Sequence, residues 1–177
     1  MRRLRYSVAM SLDGYIADAH DAFDWILHDD TIDFAGMFAR VDTIILGRRT
    51  YDLVRAQGES PWKPGTRVFV VSRTLAPESR GDVTIVSGDP VAIASSLRRE
   101  SGDGEIWLFG GGQVFAELLA GNQVDAVEVA VVPVLLGGGV PMLAPMTGRT
   151  TLALKHSHVY PSGMVALHYA VPSAAAV

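Results

Sequence analysis

Glu105-Ile-Trp-Leu-Phe-Gly-Gly-Gly-Gln-Val-Phe-Ala-Glu-Leu-Leu119 is an apolar run of strand length that stops at three glycines and restarts as a helix. The helical half places Val114, Phe115, Leu118 and Leu119 on one face. Three glycines at the junction leave the backbone bare. A helix N-terminus has unpaired N–H groups and a partial positive charge, so bare backbone there admits an anion closely, above all a phosphate or pyrophosphate. A tight strand-to-helix turn with no ligand is the competing reading. The unit is not the dinucleotide fingerprint of a Rossmann fold. Phe115 stands where the third glycine would be, and the turn comes late in the chain.

Working outward, the same alternation of buried strand and helix recurs. Arg5 to Ser11 reads as an interior strand and Asp13-Gly14 as a turn, followed by a polar loop through Asp18, His20, Asp21 and Asp24. Asp29-Asp30-Thr31 offers N-cap candidates for a helix whose apolar stripe is Phe34, Met37, Phe38 and Val41. Thr43 to Leu46 is a second buried strand, ending at Gly47-Arg48-Arg49-Thr50, where another helix opens. The loop Gln57 to Gly65 carries Trp62 as a staple or pocket wall. Arg67 to Val71 is a third strand, ending at Ser72-Arg73-Thr74, and Val83 to Val86 a fourth. Asp89-Pro90 starts a helix running to about Glu100. After the glycine triplet come a strand at Ala126 to Val132, a strand end with a flexible loop at Val134 to Val140, and a hairpin of Leu152 to Tyr160 with Met164 to Val171. The tail from Ala174 to Val177 is expected to fray.

Alternating strands and helices followed by consecutive strands predict one α/β domain over residues 1–177, with a mainly parallel central sheet, an antiparallel C-terminal edge and helices on both faces. A chain of 177 residues, 49% hydrophobic, suits a single buried core. Cysteine is absent, which excludes disulfides, thiolate metal sites and cysteine nucleophiles. The basic start Met1 to Tyr6 runs into Asp13 before an apolar leader segment could form, and no stretch is long enough to span a bilayer. A cytoplasmic protein is expected. The net charge of −4 argues against nucleic acid as a general partner.

In sheets of this kind ligands bind beyond the carboxyl ends of the strands, which picks out the turns after Leu46, Val71 and Phe109 together. Each is built for an anion: arginine offers a fork of donors, serine and threonine add hydroxyls, and glycine opens the backbone. Three such turns at equivalent strand ends suggest a ligand with several phosphates. Solvated surface roles for Arg48, Arg49 and Arg73 are the alternative.

Five stretches carry a resemblance to a known family: Ala9-Met-Ser-Leu-Asp-Gly-Tyr-Ile-Ala17, Asp42-Thr-Ile-Ile-Leu-Gly-Arg-Arg-Thr-Tyr51, Val70-Val-Ser-Arg-Thr74, Leu108-Phe-Gly-Gly-Gly-Gln-Val-Phe115 and Pro133-Val-Leu-Leu-Gly-Gly-Gly139. In this order, over nearly the whole chain, they resemble the dihydrofolate-reductase-like three-layer fold, and more closely the riboflavin-biosynthesis reductases (RibD C-terminal-like) and their stand-alone bacterial relatives. The resemblance implies an NADPH-dependent oxidoreductase acting on a small heterocyclic or ribose-derived molecule, similar to 5-amino-6-(5-phosphoribosylamino)uracil reductase. It implies that Gly47, Arg48, Arg49 and Thr50 hold the pyrophosphate and ribose phosphate, with Ser72 and Arg73 at the adenosine 2′-phosphate. Gly110, Gly111, Gly112, Gln113 and Val114 would lie against the pyrophosphate, and Ala9 and Ile16 would offer backbone groups to the nicotinamide carboxamide.

Dihydrofolate reductases place an acid on the helix after the first loop, and Asp30 and Asp33 are the candidates for that proton donor. An N-cap role competes for Asp30, and a plain turn role for Asp13. A true dihydrofolate reductase and a nucleotide-binding module without turnover are the alternative functions. His156 and His158 alternate on one strand face and His28 neighbours two aspartates, but no third ligand is evident, so no metal is predicted. The apolar segment Val127 to Leu143 is the expected interface of a homodimer.

Overall fold

The computed structural model describes residues 1–58 and 60–172, and the tail expected to fray lies outside them. In chain order the elements are β1 (Leu4–Ser11), β2 (Tyr15–Ala17), α1 (Phe34–Ala39), β3 (Val41–Gly47), α2 (Arg48–Ala56), β4 (Arg67–Val71), β5 (Glu78–Arg80) and β6 (Val83–Val86). They continue as α3 (Pro90–Arg99), β7 (Glu105–Gly110), α4 (Gly112–Ala120), β8 (Ala126–Val132), β9 (Val140–Pro141), β10 (Ala153–Val159) and β11 (Val165–Ala170). Nine strands form one sheet in the order β10-β11-β8-β1-β7-β3-β4-β6-β5. The centre from β8 to β6 is parallel, and β11 and β10 add an antiparallel edge, as the order of elements implies. The short β5 adds a second antiparallel edge on the other side, which the sequence reading did not include.

The interior strands read as unbroken apolar runs because both sheet faces are covered. Successive side chains alternate between two cores. Ile45, Val71, Ile106 and Leu108 face α3 and α4, where Tyr6 stacks on Phe115 at 3.9 Å between ring centroids. Ile44, Val68, Val70 and Trp107 face the other side, with Met37 and Phe38 of α1 and Tyr51 of α2. Trp62 joins that second core, its ring edge-on to Phe109 at 5.7 Å.

Four local expectations need correcting. The first helix is six residues long and its N-cap is Asp33, which accepts the Gly36 N–H at 2.7 Å; the cap does not fall at Asp29-Asp30-Thr31. Val41, read as part of that helix stripe, begins β3 instead, because its apolar side chain is buried in the strand. The Val134 to Val140 run is mostly loop, and only Val140–Pro141 is strand, paired with β2 in a separate two-stranded sheet. The apolar Val127–Val132 part of the expected dimer interface is an interior strand held between β1 and β11, so its hydrophobicity is accounted for within one chain. Among the described residues no helix is long and apolar enough to cross a membrane.

Candidate active site

A cleft follows from how β1 pairs. It runs in register with β8 from Arg5 to Ser11, but with β7 only from Leu4 to Tyr6. Beyond Tyr6 the two strands part, and the Trp107 indole N–H closes the base of the split by donating to the Ser7 carbonyl at 2.9 Å. A cavity of about 790 Å³ opens from this seam on the face that carries α1 and α2. Ala9 and Ile16, the two residues expected beside a nicotinamide, both line it. The β3–β7 register slips between Ile45 and Leu46, leaving Phe109 as an extra residue that lines the cavity too.

At the outer end of the seam the three anion-type turns converge, because β7, β3 and β4 are neighbours and end level. Their glycines sit against one another. A Cβ on Gly111 would lie 3.5 Å from the Gly47 nitrogen, one on Gly47 would lie 3.3 Å from a Val114 methyl, and one on Gly110 would meet Thr50 at 3.0 Å. Gly111, at φ 103°, is the N-cap of α4 and Gly47 the N-cap of α2, and neither helix start receives a side-chain cap. Two uncapped helix N-termini therefore meet at one place, both presenting free N–H groups and positive dipole ends.

The arginines stand around this point. Arg49 lines the cavity and pairs with Asp21; Arg48 donates to Thr74 at 2.6 Å and contacts Asp52; Arg73 pairs with Glu117, which also holds the Gln113 amide at 2.8 Å. All three arginine side chains are at least half exposed. Such pairs are weak and exchange readily for a better anion. Some of the expected residues also have a structural part. A Cβ on Gly112 would run into the Pro141 carbonyl at 2.4 Å, so packing of the β9 segment by itself requires a glycine here. The Ser72 oxygen accepts the N–H groups of Thr74 and Leu75, which shapes the turn and leaves only its own proton to donate. Val114 is buried and wedges Gly47.

The inner end of the cavity is a charged floor that sequence reasoning missed. Arg5, buried on β1, lies between Glu128 at 2.7 Å and Glu105 at 3.3 Å, its guanidinium 5.2 Å from the Trp107 ring centroid. Arg5, Trp107, Glu128 and His168 line the cavity. A signal was available: Arg5 and Glu128 are opposite charges in two strands otherwise apolar enough to be interior, and buried charges must be paired.

The candidate acids separate. Asp30 is not at the cavity; its side chain is 93% exposed and meets His28 at 2.8 Å. Asp33 does line the cavity, with one carboxylate oxygen given to the α1 cap. Asp13 is more than a turn residue. It accepts the N–H groups of Leu136 and Gly137, and hydrogen bonds from Ser11 and that backbone hold its carboxyl below the usual range. Asp29 is held lower still by Ser162 and Thr31, tying the first loop to the β10–β11 hairpin. His156 lies edge-on to His168 and His158 to Tyr160, and among the described residues no three ligating side chains gather as a metal site.

Comparison with known proteins agrees with this geometry. A family model described as the RibD C-terminal domain matches residues 2–166. The uncharacterised protein YwjB of Bacillus subtilis is 31% identical over 167 residues, covering 92% of this chain and 94% of YwjB. A solved Shewanella structure, described as a riboflavin biosynthesis protein, superposes with a TM-score of 0.82 at 29% identity over 96% of this chain and 99% of its own. Two more distant structures share the fold. One is a Thermotoga maritima deaminase and 5-amino-6-(5-phosphoribosylamino)uracil reductase, with TM-score 0.72 and 17% identity over 97% of this chain and 57% of that longer one. The other is an Enterococcus faecalis dihydrofolate reductase complexed with NADP(H), with TM-score 0.69 and 16% identity over 97% of both chains.

Proposed function

We propose that this chain, which belongs to the RibD C-terminal domain family, uses NADPH to reduce a C=N or C=O bond of a small heterocyclic substrate. The observation that carries the reading is the meeting of two uncapped helix N-termini with three exposed arginines, at the mouth of a cavity large enough for a nicotinamide and a second ring. Those features fit a pyrophosphate and a ribose phosphate. Gly47 and Gly111 open the α2 and α4 starts toward the pyrophosphate, Arg48 and Arg49 exchange their carboxylate partners for phosphate oxygens, and Arg73 leaves Glu117 for the 2′-phosphate.

When bound, the cofactor supplies the hydride. The residues of the chain position and shield. Ala9, on the freed edge of β1, and Ile16 hold the carboxamide end, while Phe109 and Trp107 form an apolar wall that excludes water from the transfer. Asp33 is the acid on the α1 side from which a proton reaches the substrate, and its test is a fall in turnover in Asp33→Asn with cofactor affinity kept.

The cofactor assignment is tested by titrating NADPH and following nucleotide fluorescence, with NADH alongside. NADPH binding tighter than NADH binding supports it. Absence of binding to either nucleotide means that the three turns are structural, and the reductase reading falls. A homodimer is part of the same proposal, and a monomeric mass in solution would contradict it.

A further inference from the structure

The inner floor of the cavity lies away from the α2 and α4 starts, and its chemistry is specific. Glu128 is buried, with its side chain 10% exposed, and it faces the cavity. One carboxylate oxygen accepts from Arg5 at 2.7 Å. The other has its nearest cations at 3.7 Å in Arg3 and 3.9 Å in His168, and it accepts a hydrogen bond from none of the described residues. That oxygen is not sealed from solvent, so it stays open to accept a hydrogen bond from a ligand N–H in the cavity.

The same floor is unsuited to phosphate. Among the described residues lining the cavity, the arginines are Arg5 and Arg49. Arg49 stands at the outer end and is paired with Asp21. Arg5 lies between Glu105 and Glu128, and turning it to a phosphate would take from the buried Glu128 carboxylate its one hydrogen-bonded arginine, whereas Glu105 would keep Arg3 and Arg40. A phosphate reaching the floor would meet Glu128 with no arginine free to receive it. Around the floor the walls are apolar and aromatic: Trp107 and Phe109 lie 5.2 Å apart between centroids, with Phe34 and Met37 beyond them.

We infer that the inner floor selects a planar, phosphate-free heterocycle whose N–H edge is held by the Glu128 carboxylate, and that phosphoribosyl substrates are turned away. This rests on the reading that the cofactor occupies the outer end of the same cavity. It departs from the substrate named for the Thermotoga neighbour, which carries a phosphoribosyl group.

The test uses three fluorescent probes that differ stepwise: 2-aminopurine, its riboside, and the riboside 5′-phosphate. Each is titrated into the full chain with and without saturating NADP⁺, so that binding at the outer end is separated from binding at the floor. The expected result is that 2-aminopurine binds in the presence of NADP⁺, and that the phosphate-bearing probe binds at least about tenfold more weakly than its riboside. Glu128→Gln should weaken 2-aminopurine by about tenfold or more, because the amide keeps its oxygen on Arg5 and turns its NH₂ toward the ligand's own donor. NADPH affinity, measured on the same sample, should not change.

Should Glu128→Gln fail to fold, Ala166→Met fills the cavity beside the floor from β11 without touching the ion pairs, and should abolish probe binding while sparing NADPH. Tighter binding of the phosphate-bearing probe, or unchanged 2-aminopurine binding in both variants, overturns the inference. Loss of NADPH binding in the wild type would instead overturn the cofactor reading, and is read on its own titration.

Discussion

The two ends of the cavity hold their arginines in opposite ways. At the outer end Arg48, Arg49 and Arg73 are exposed and each leans on a single carboxylate, an arrangement worth little in water and easily traded. At the inner end Arg5 is buried between two carboxylates, an aromatic ring and the Met37 carbonyl. One end keeps its charges available, and the other has already spent them on the fold. The same residue type is thus left exposed and exchangeable in one region and is a structural member in the other, and burial decides which.

The largest effect that would break this contrast is expected at Arg5. Arg5→Ala leaves Glu128 buried without its hydrogen-bonded partner and should cost about 3–5 kcal/mol in urea unfolding. A loss no greater than that of a surface substitution would mean the floor is solvated and not locked. Gly111→Ala comes next. Its φ of 103° suits only glycine, so alanine should cost about 1–2 kcal/mol, and by distorting the start of α4 it should also weaken NADPH in titration. Arg73→Ala reverses the pattern seen at Arg5. Its unfolding free energy should stay within about 0.5 kcal/mol of wild type, while NADPH affinity falls about tenfold and NADH affinity holds.

The smallest effect is a pH dependence in the loops that frame the cleft. Asp29 and Asp13 have carboxyls held below the ordinary value of 3.8. A depressed folded-state value means their contribution is complete above about pH 4 and is lost as pH falls through the folded values. Acid unfolding curves should therefore show Asp29→Asn less stable than wild type at neutral pH, with the two converging in strong acid. Parallel curves would show that the Asp29 link to Ser162 and Thr31 does not depend on its charge.

Much of the fold was legible because parallel interior strands announce themselves as apolar runs ended by glycine and polar turns, and Asp89-Pro90 gives an unambiguous helix start. The anion-type turns were legible for the same reason: they are local. What escaped reading was non-local. That Gly112 is needed by the Pro141 carbonyl, that Phe109 is an extra residue in its ladder, and that Asp33 rather than Asp30 reaches the cavity all depend on which distant segments meet. Arg5 and Glu128 were visible as charges in apolar strands, but their partnership spans 123 residues of chain, and only the adjacency of β1 and β8 reveals it.

The most direct test of the contrast between the two ends is the thermal midpoint of wild type, Arg73→Ala and Glu128→Gln with and without NADPH. Binding to the folded state stabilises it by RT ln(1 + L/Kd), where L is the free ligand concentration, so NADPH is added near its wild-type Kd, where a tenfold loss of affinity removes most of the shift. The account predicts that Glu128→Gln starts lower but gains the full wild-type shift on adding NADPH, while Arg73→Ala starts at the wild-type midpoint and loses most of the shift. A shift retained in Arg73→Ala and lost in Glu128→Gln would contradict it, because the buried end would then be the one that holds the nucleotide.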